Sequence, residues 1–155
     1  MVMKRVLVIL MGCILLSGCG SNSQEMVKTM CRTDSSYSIY DSYEQIFESE
    51  GDAVKVITIK GVLSFDDKES LDEMTEMFDE SVEEFNTMEG LNAKIERIDD
   101  TKVNDILEID LSKANLELLS ELGVLYIEEG SVSDYSLSQS ITLAESLGLS
   151  CETIK

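Results

Sequence analysis

AVKVITIKGVLSFDDKESLDEMTEMFDESVEEFN, residues 53–86, changes its periodicity halfway, and that change decides the fold class. Residues 53–65 are rich in β-branched side chains and read as a strand, with Gly61 expected to mark a bulge. From Asp66 or Asp67 to Asn86 the apolar residues Leu71, Met74, Phe78, Val82 and Phe85 recur at helical spacing. Asp72, Glu73, Glu76, Asp79, Glu80, Glu83 and Glu84 fill the other positions, so the segment reads as one long amphipathic helix with a solvated acidic face. A sheet followed by a helix laid on it is the start of an α+β domain.

The flanking segments extend this pattern. VKTMCRT alternates, and SIYDSYEQIFE places Tyr37, Ile39, Tyr43 and Phe47 at period two, as a half-buried strand would. With the turn at Glu50, Gly51 and Asp52, the three strands form an antiparallel meander. Beyond the helix, LNAKIERI and VNDILEIDL flank an Asp99-Asp100-Thr101-Lys102 turn and form a second hairpin. LSKANLELLSELG reads as a short helix from Ser112 to Gly123. SLSQSITLAESLG, with Leu137, Ile141, Ala144 and Leu147, reads as a last helix stopped by Gly148. The expected architecture is an antiparallel sheet covered on one face by one long and one or two shorter helices, spanning residues 26–155.

The N-terminus carries a different kind of signal. Lys4 and Arg5 precede VLVILMGCILL, residues 6–16, an apolar run shorter than the roughly 20 residues a membrane crossing needs. Leu16, Ser17, Gly18 and Cys19 then match the lipobox of bacterial lipoproteins. The resemblance implies that residues 1–18 are a signal peptide, that Cys19 is thioether-linked to diacylglycerol, and that residues 19–25 are a lipidated spacer. Cys13, inside the apolar run, follows Met11 and Gly12 and lacks a polar sequence downstream. Two acyl chains would hold the protein on the membrane stably where one would not. The expected location is therefore the cell membrane, facing away from the cytoplasm.

Removing Lys4 and Arg5 with the signal moves the formal charge from −19 to −21 on 137 residues. That balance argues against nucleic acid and against electrostatic docking on anionic lipid, which both require clustered cations. An apolar content of 43% is enough for a core, so this is a folded acidic domain. Of four cysteines, Cys31 and Cys151 are left near opposite ends of the mature chain. In an exported protein such a pair is expected to be a disulfide.

KTMCRT, the Glu50-Gly51-Asp52 turn, VKVITIK, and GLNAKIERIDDTKVNDILEIDLSKANLELL together resemble the YehR-like family of small bacterial lipoproteins, a domain family of unknown function. The most specific part is D-x-x-K-A-x-L, at Asp110, Lys113, Ala114 and Leu116. The resemblance implies fold and location, and no catalytic residue.

The chain has no histidine, which removes the usual general base and the commonest zinc ligand. It has no G-x-S-x-G elbow, P-loop or H-E-x-x-H. The acid-rich run from Asp99 to Asp110 lacks the glycine and spacing of a calcium loop, so turn chemistry accounts for it. No cofactor, metal or catalytic residue is expected. The expected role is binding, to an envelope protein, a peptide or a small ligand, on a surface that could include Tyr37, Tyr43 or Tyr126. The alternative is a carboxylate-based hydrolase or divalent-metal module, which would require converging acids.

Overall fold

The computed structural model describes residues 25–126 and 135–154. Six strands form one antiparallel sheet: β1 (Met26–Thr33), β2 (Ser42–Glu50), β3 (Ala53–Ser64), β4 (Leu91–Arg97), β5 (Lys102–Asp110) and β6 (Ser150–Ile154). Their order across the sheet is β4-β5-β3-β2-β1-β6. Three helices accompany them: α1 (Lys68–Asn86), α2 (Leu116–Glu121) and α3 (Leu137–Ser146). The α+β architecture, meander and second hairpin are those expected; β6 is an addition, a five-residue strand with too few alternating residues to stand out.

One face of the sheet carries the core. Cys31, Phe47, Ile57 and Ile109 lie on it with almost no exposure, and Leu119 and Leu125 near α2 and Ala144 and Leu149 near α3 pack against them. Removing this apolar surface from water is the main stabilising contribution, at about 25 cal/mol per Å². Val54 and Ile57 are both buried although three positions apart, which simple alternation forbids. The pairing explains it: Ser49 opposes Val54 and Glu48 opposes Val56, leaving Lys55 as an extra residue. The bulge is thus at Lys55, not at Gly61, which pairs regularly with Tyr43 and Asp105.

Helix α1 follows its sequence pattern closely. Asp67 caps it, accepting from the Ser70 N–H at 2.8 Å. Leu71 is buried and Met74, Phe78, Val82 and Phe85 are half-buried, with the acids outside. The helix lies along edge strand β4, where Asn86 donates to the Ala93 carbonyl at 3.0 Å and accepts from the Ala93 N–H at 2.7 Å. One amide side chain thereby pairs with the outward backbone of an edge strand, the place where sheets otherwise recruit other chains.

Three further expectations are corrected. Residues 37–41 do not continue β2: Tyr37 and Tyr40 exchange backbone hydrogen bonds at 2.8 and 3.0 Å, closing a tight turn with Ser38 at φ 57°. Ile39 therefore sits on the tip, 71% exposed, instead of on a strand face. Helix α2 starts at Leu116, not Ser112, because Asn115 supplies the cap, accepting from the Leu118 N–H at 3.1 Å. Leu147, expected on the buried stripe of α3, is exposed at that helix's end.

Candidate functional site

The sheet face opposite the helical layer holds a groove of about 260 Å³. Strand alternation builds it: Arg32, Ser42, Glu44, Lys60, Val62 and Asn104 project to the same face from four neighbouring strands. Thr33 and Asp34, where β1 ends, complete one wall. Lys60 Nζ lies 3.2 Å from Glu44 Oε1, and Arg32 lies 3.8 Å from Glu152. The lining is thus polar and carries both charge signs.

On the other face of the same strands is a tyrosine cluster. Tyr37 and Tyr43 stack at 4.6 Å between ring centroids, and Tyr40 lies 5.7 Å from Tyr43. The Tyr40 ring covers Gly61, where a Cβ would sit 2.3 Å from the ring. This explains the glycine that the strand reading attributed to a bulge: β3 gives up a side chain to seat Tyr40. The Tyr40 hydroxyl donates to Asp105 Oδ2 at 2.7 Å. Burial, with that acceptor, pushes the Tyr40 hydroxyl well above its ordinary range. Burial also raises Tyr43, although Gln45 donating to its oxygen at 2.9 Å acts the other way. Tyr40 and Tyr43 therefore stay protonated near neutral pH, Tyr40 donating to Asp105 and Tyr43 packing between the rings of Tyr37 and Tyr40. Tyr126, proposed beside Tyr37 and Tyr43, is 65% exposed and stands apart from them.

Cys31 and Cys151 are joined by a disulfide across directly opposed residues of β1 and β6. It closes a loop with a sequence separation of 120 and ties the first strand to the last. Cys19 and the residues Leu16, Ser17 and Gly18 lie outside the described residues.

Two acidic positions prove to be joints. Asp52 accepts from the Ser136 hydroxyl at 2.6 Å and the Ser138 N–H at 2.8 Å, fastening the β2–β3 turn to the start of α3; these bonds hold its carboxyl below the usual range. Asp110 accepts from Lys113 and Ser112, which lower it to about 2. Its carbonyl also accepts from the N–H groups of Lys113 and Ala114, and its N–H donates to the Gly90 carbonyl at 2.7 Å. Gly90 has φ 83°, and a Cβ there would come within 2.6 Å of the Ala114 nitrogen. The D-x-x-K-A-x-L segment is therefore a turn packed against Gly90, a structural motif. Asp99 likewise serves its hairpin turn, accepting from Thr101 at 2.7 Å. Among the described residues, no group of three or more cysteine or acidic side chains is arranged to hold a metal ion, and no helix is long and apolar enough to cross a membrane.

The family described as "Protein of unknown function (DUF1307)" matches residues 40–150, most of the fold. The chain belongs to this family. Its matched segment stops short of both Cys31 and Cys151, so the two cysteines lie outside the matched residues. The NMR structure of Escherichia coli YehR is similar in fold at TM-score 0.63 and 14% identity, covering 85% of this chain and 94% of that one. An NMR structure of a protein from Streptococcus pneumoniae TIGR4 has the same TM-score at 12% identity, covering 98% and 99%. The resemblance to the YehR-like proteins thus holds for family and fold. No curated protein matches the chain.

Proposed function

We propose that the protein is a lipid-anchored envelope protein that acts by binding. The observation that carries this is the Cys31–Cys151 disulfide, because such bonds persist outside the reducing cytoplasm. It agrees with the export signal and with Cys19 as the lipidated residue, followed by a short polar spacer that would hold the domain close to the membrane. Binding is favoured over catalysis because the best-formed polar groups, Asp52, Asp99 and Asp110, are occupied by turns and helix starts. The paired charges of the open groove are suited to recognising a partner or ligand.

Cys19→Ala tests the anchor. The variant is expected to accumulate as unprocessed precursor without incorporated fatty acid; normal maturation and membrane retention would reject the proposal. Non-reducing mass spectrometry of the mature protein should find Cys31 and Cys151 unavailable to alkylation.

A further inference from the structure

In the groove, charged groups of both signs line one concavity. Outside it the ion pairs range from 2.6 Å, for Lys28 with Glu48 and Lys94 with Glu96, to 3.9 Å, for Lys55 with Glu50. The Arg32 guanidinium is held only at 3.8 Å by Glu152, on the sheet's outermost strand. Asp34 has no hydrogen bond or ion pair among the described residues and lines the same cavity. Lys60 and Glu44 face each other at 3.2 Å on the floor, both more than half shielded from water.

Size and charge together select a ligand class. At about 260 Å³ the groove is just below the roughly 300–1,000 Å³ typical of sites for drug-sized molecules, so it suits something smaller. An apolar ligand would strip water from four charged groups without replacing their hydrogen bonds. An anion would meet Glu44 and Asp34, and a cation would meet Arg32 and Lys60. A molecule carrying one charge of each sign at short separation meets both. Arg32 offers a planar fork matched to a carboxylate, while Asp34 and Glu44 can accept from an ammonium group. Ser42, Thr33 and Asn104 supply neutral hydrogen-bonding groups.

We infer that this groove is a binding site for a zwitterionic amino acid or dipeptide, its carboxylate on Arg32 and its ammonium toward Asp34 and Glu44. The inference rests on the reading of the protein as a binding module and gives that module a ligand class.

The test is a titration of the isotope-labelled full-length protein, in detergent with its disulfide intact, using L-glutamine and L-alanyl-L-glutamine at millimolar concentration. Backbone amide shifts are expected at Arg32, Asp34, Ser42, Glu44, Lys60 and Asn104, with the tyrosine turn unmoved. Acetylating the ligand's amine or amidating its carboxylate should each weaken binding at least tenfold. Arg32→Gln, Asp34→Asn and Glu44→Gln should do the same, whereas Lys94→Gln, outside the groove, should leave binding unchanged. Unchanged amides with both probes, or equal binding of the blocked ligands, would overturn the inference. If Arg32→Gln protein still captured a partner from envelope extract while binding neither probe, the broader binding role would stand and the groove would remain the amino-acid site. Capture of a partner by wild type that binds neither probe would overturn the ligand class of the groove and leave the broader binding role standing.

Discussion

The two ends of the sheet are closed by different means. At one end β6 is bonded covalently to β1 and backed by the main core, with Cys31 fully buried. At the other end β4 is flanked by α1, and its outward backbone is satisfied by one side chain, Asn86. Only Leu71 of the 19 residues of α1 is fully buried, and α1 stands outside the main core cluster. One end is therefore secured by a covalent bond and the main core, and the other by the Asn86 hydrogen bonds and a smaller apolar group that includes Leu71, Ala93, Val103 and the edge-on Phe65 and Phe78 rings. The difference predicts that the β4 end opens before the β6 end.

The strongest test of that asymmetry removes the covalent closure. Cys31→Ala with Cys151→Ala should cost about 2–5 kcal/mol in urea unfolding, and hydrogen exchange should then quicken in β6 and α3. Persistence of slow exchange there would show that burial alone secures this end. Gly90→Ala attacks the other end, forcing a side chain into a left-handed backbone position against the Ala114 nitrogen. A loss of about 3 kcal/mol is expected, since such conformations cost about 1–3 kcal/mol before any clash. Asn86→Ala leaves the Ala93 N–H and C=O without their partner and should cost about 2 kcal/mol. Unlike the cysteine variant, it should also increase self-association through the exposed β4 edge, measurable by light scattering.

Smaller effects sharpen the contrast. Ser49, fully buried on β2, has a hydroxyl with no partner. Ser49→Ala should be neutral or stabilising by up to about 1 kcal/mol, because it removes an unsatisfied group and leaves little void. Acid should act through Asp52 near α3 and Asp110 beside Gly90. Both carboxyls are lowered in the folded state, so their contribution is complete above the ordinary value of 3.8 and is lost as pH falls through the folded value, for Asp110 about 2. Urea midpoints followed from about pH 5 to about pH 2, roughly the titration range of a lowered carboxylate, should fall less steeply in Asp110→Asn than in wild type.

Periodicity made the long elements legible. The α1 stripe from Leu71 to Phe85 and the alternation of Val103, Leu107 and Ile109 each report one face of one element, which is what a linear sequence encodes best. The bulge at Lys55 was hidden because alternation across it resembles a continuous apolar run. The Tyr37 to Tyr40 turn was hidden because its aromatic residues have high strand propensity, and only the ring of Tyr40 over Gly61 shows why the chain reverses there. Compartment and parity point to the pairing of Cys31 with Cys151, whereas the groove has no sequence signal. Its lining comes from four strands and the end of β1, so no local motif announces it.

The cross-strand bond also has a mechanical consequence. If the domain hangs from a lipidated Cys19, any pull from the membrane enters the fold at Met26 and loads β1 along its length. Tension can peel residues Met26 to Met30 from their neighbours, but Cys31 is linked to Cys151, and further travel must drag β6 with it. Under such a load the disulfide would act as a stop five residues into the sheet.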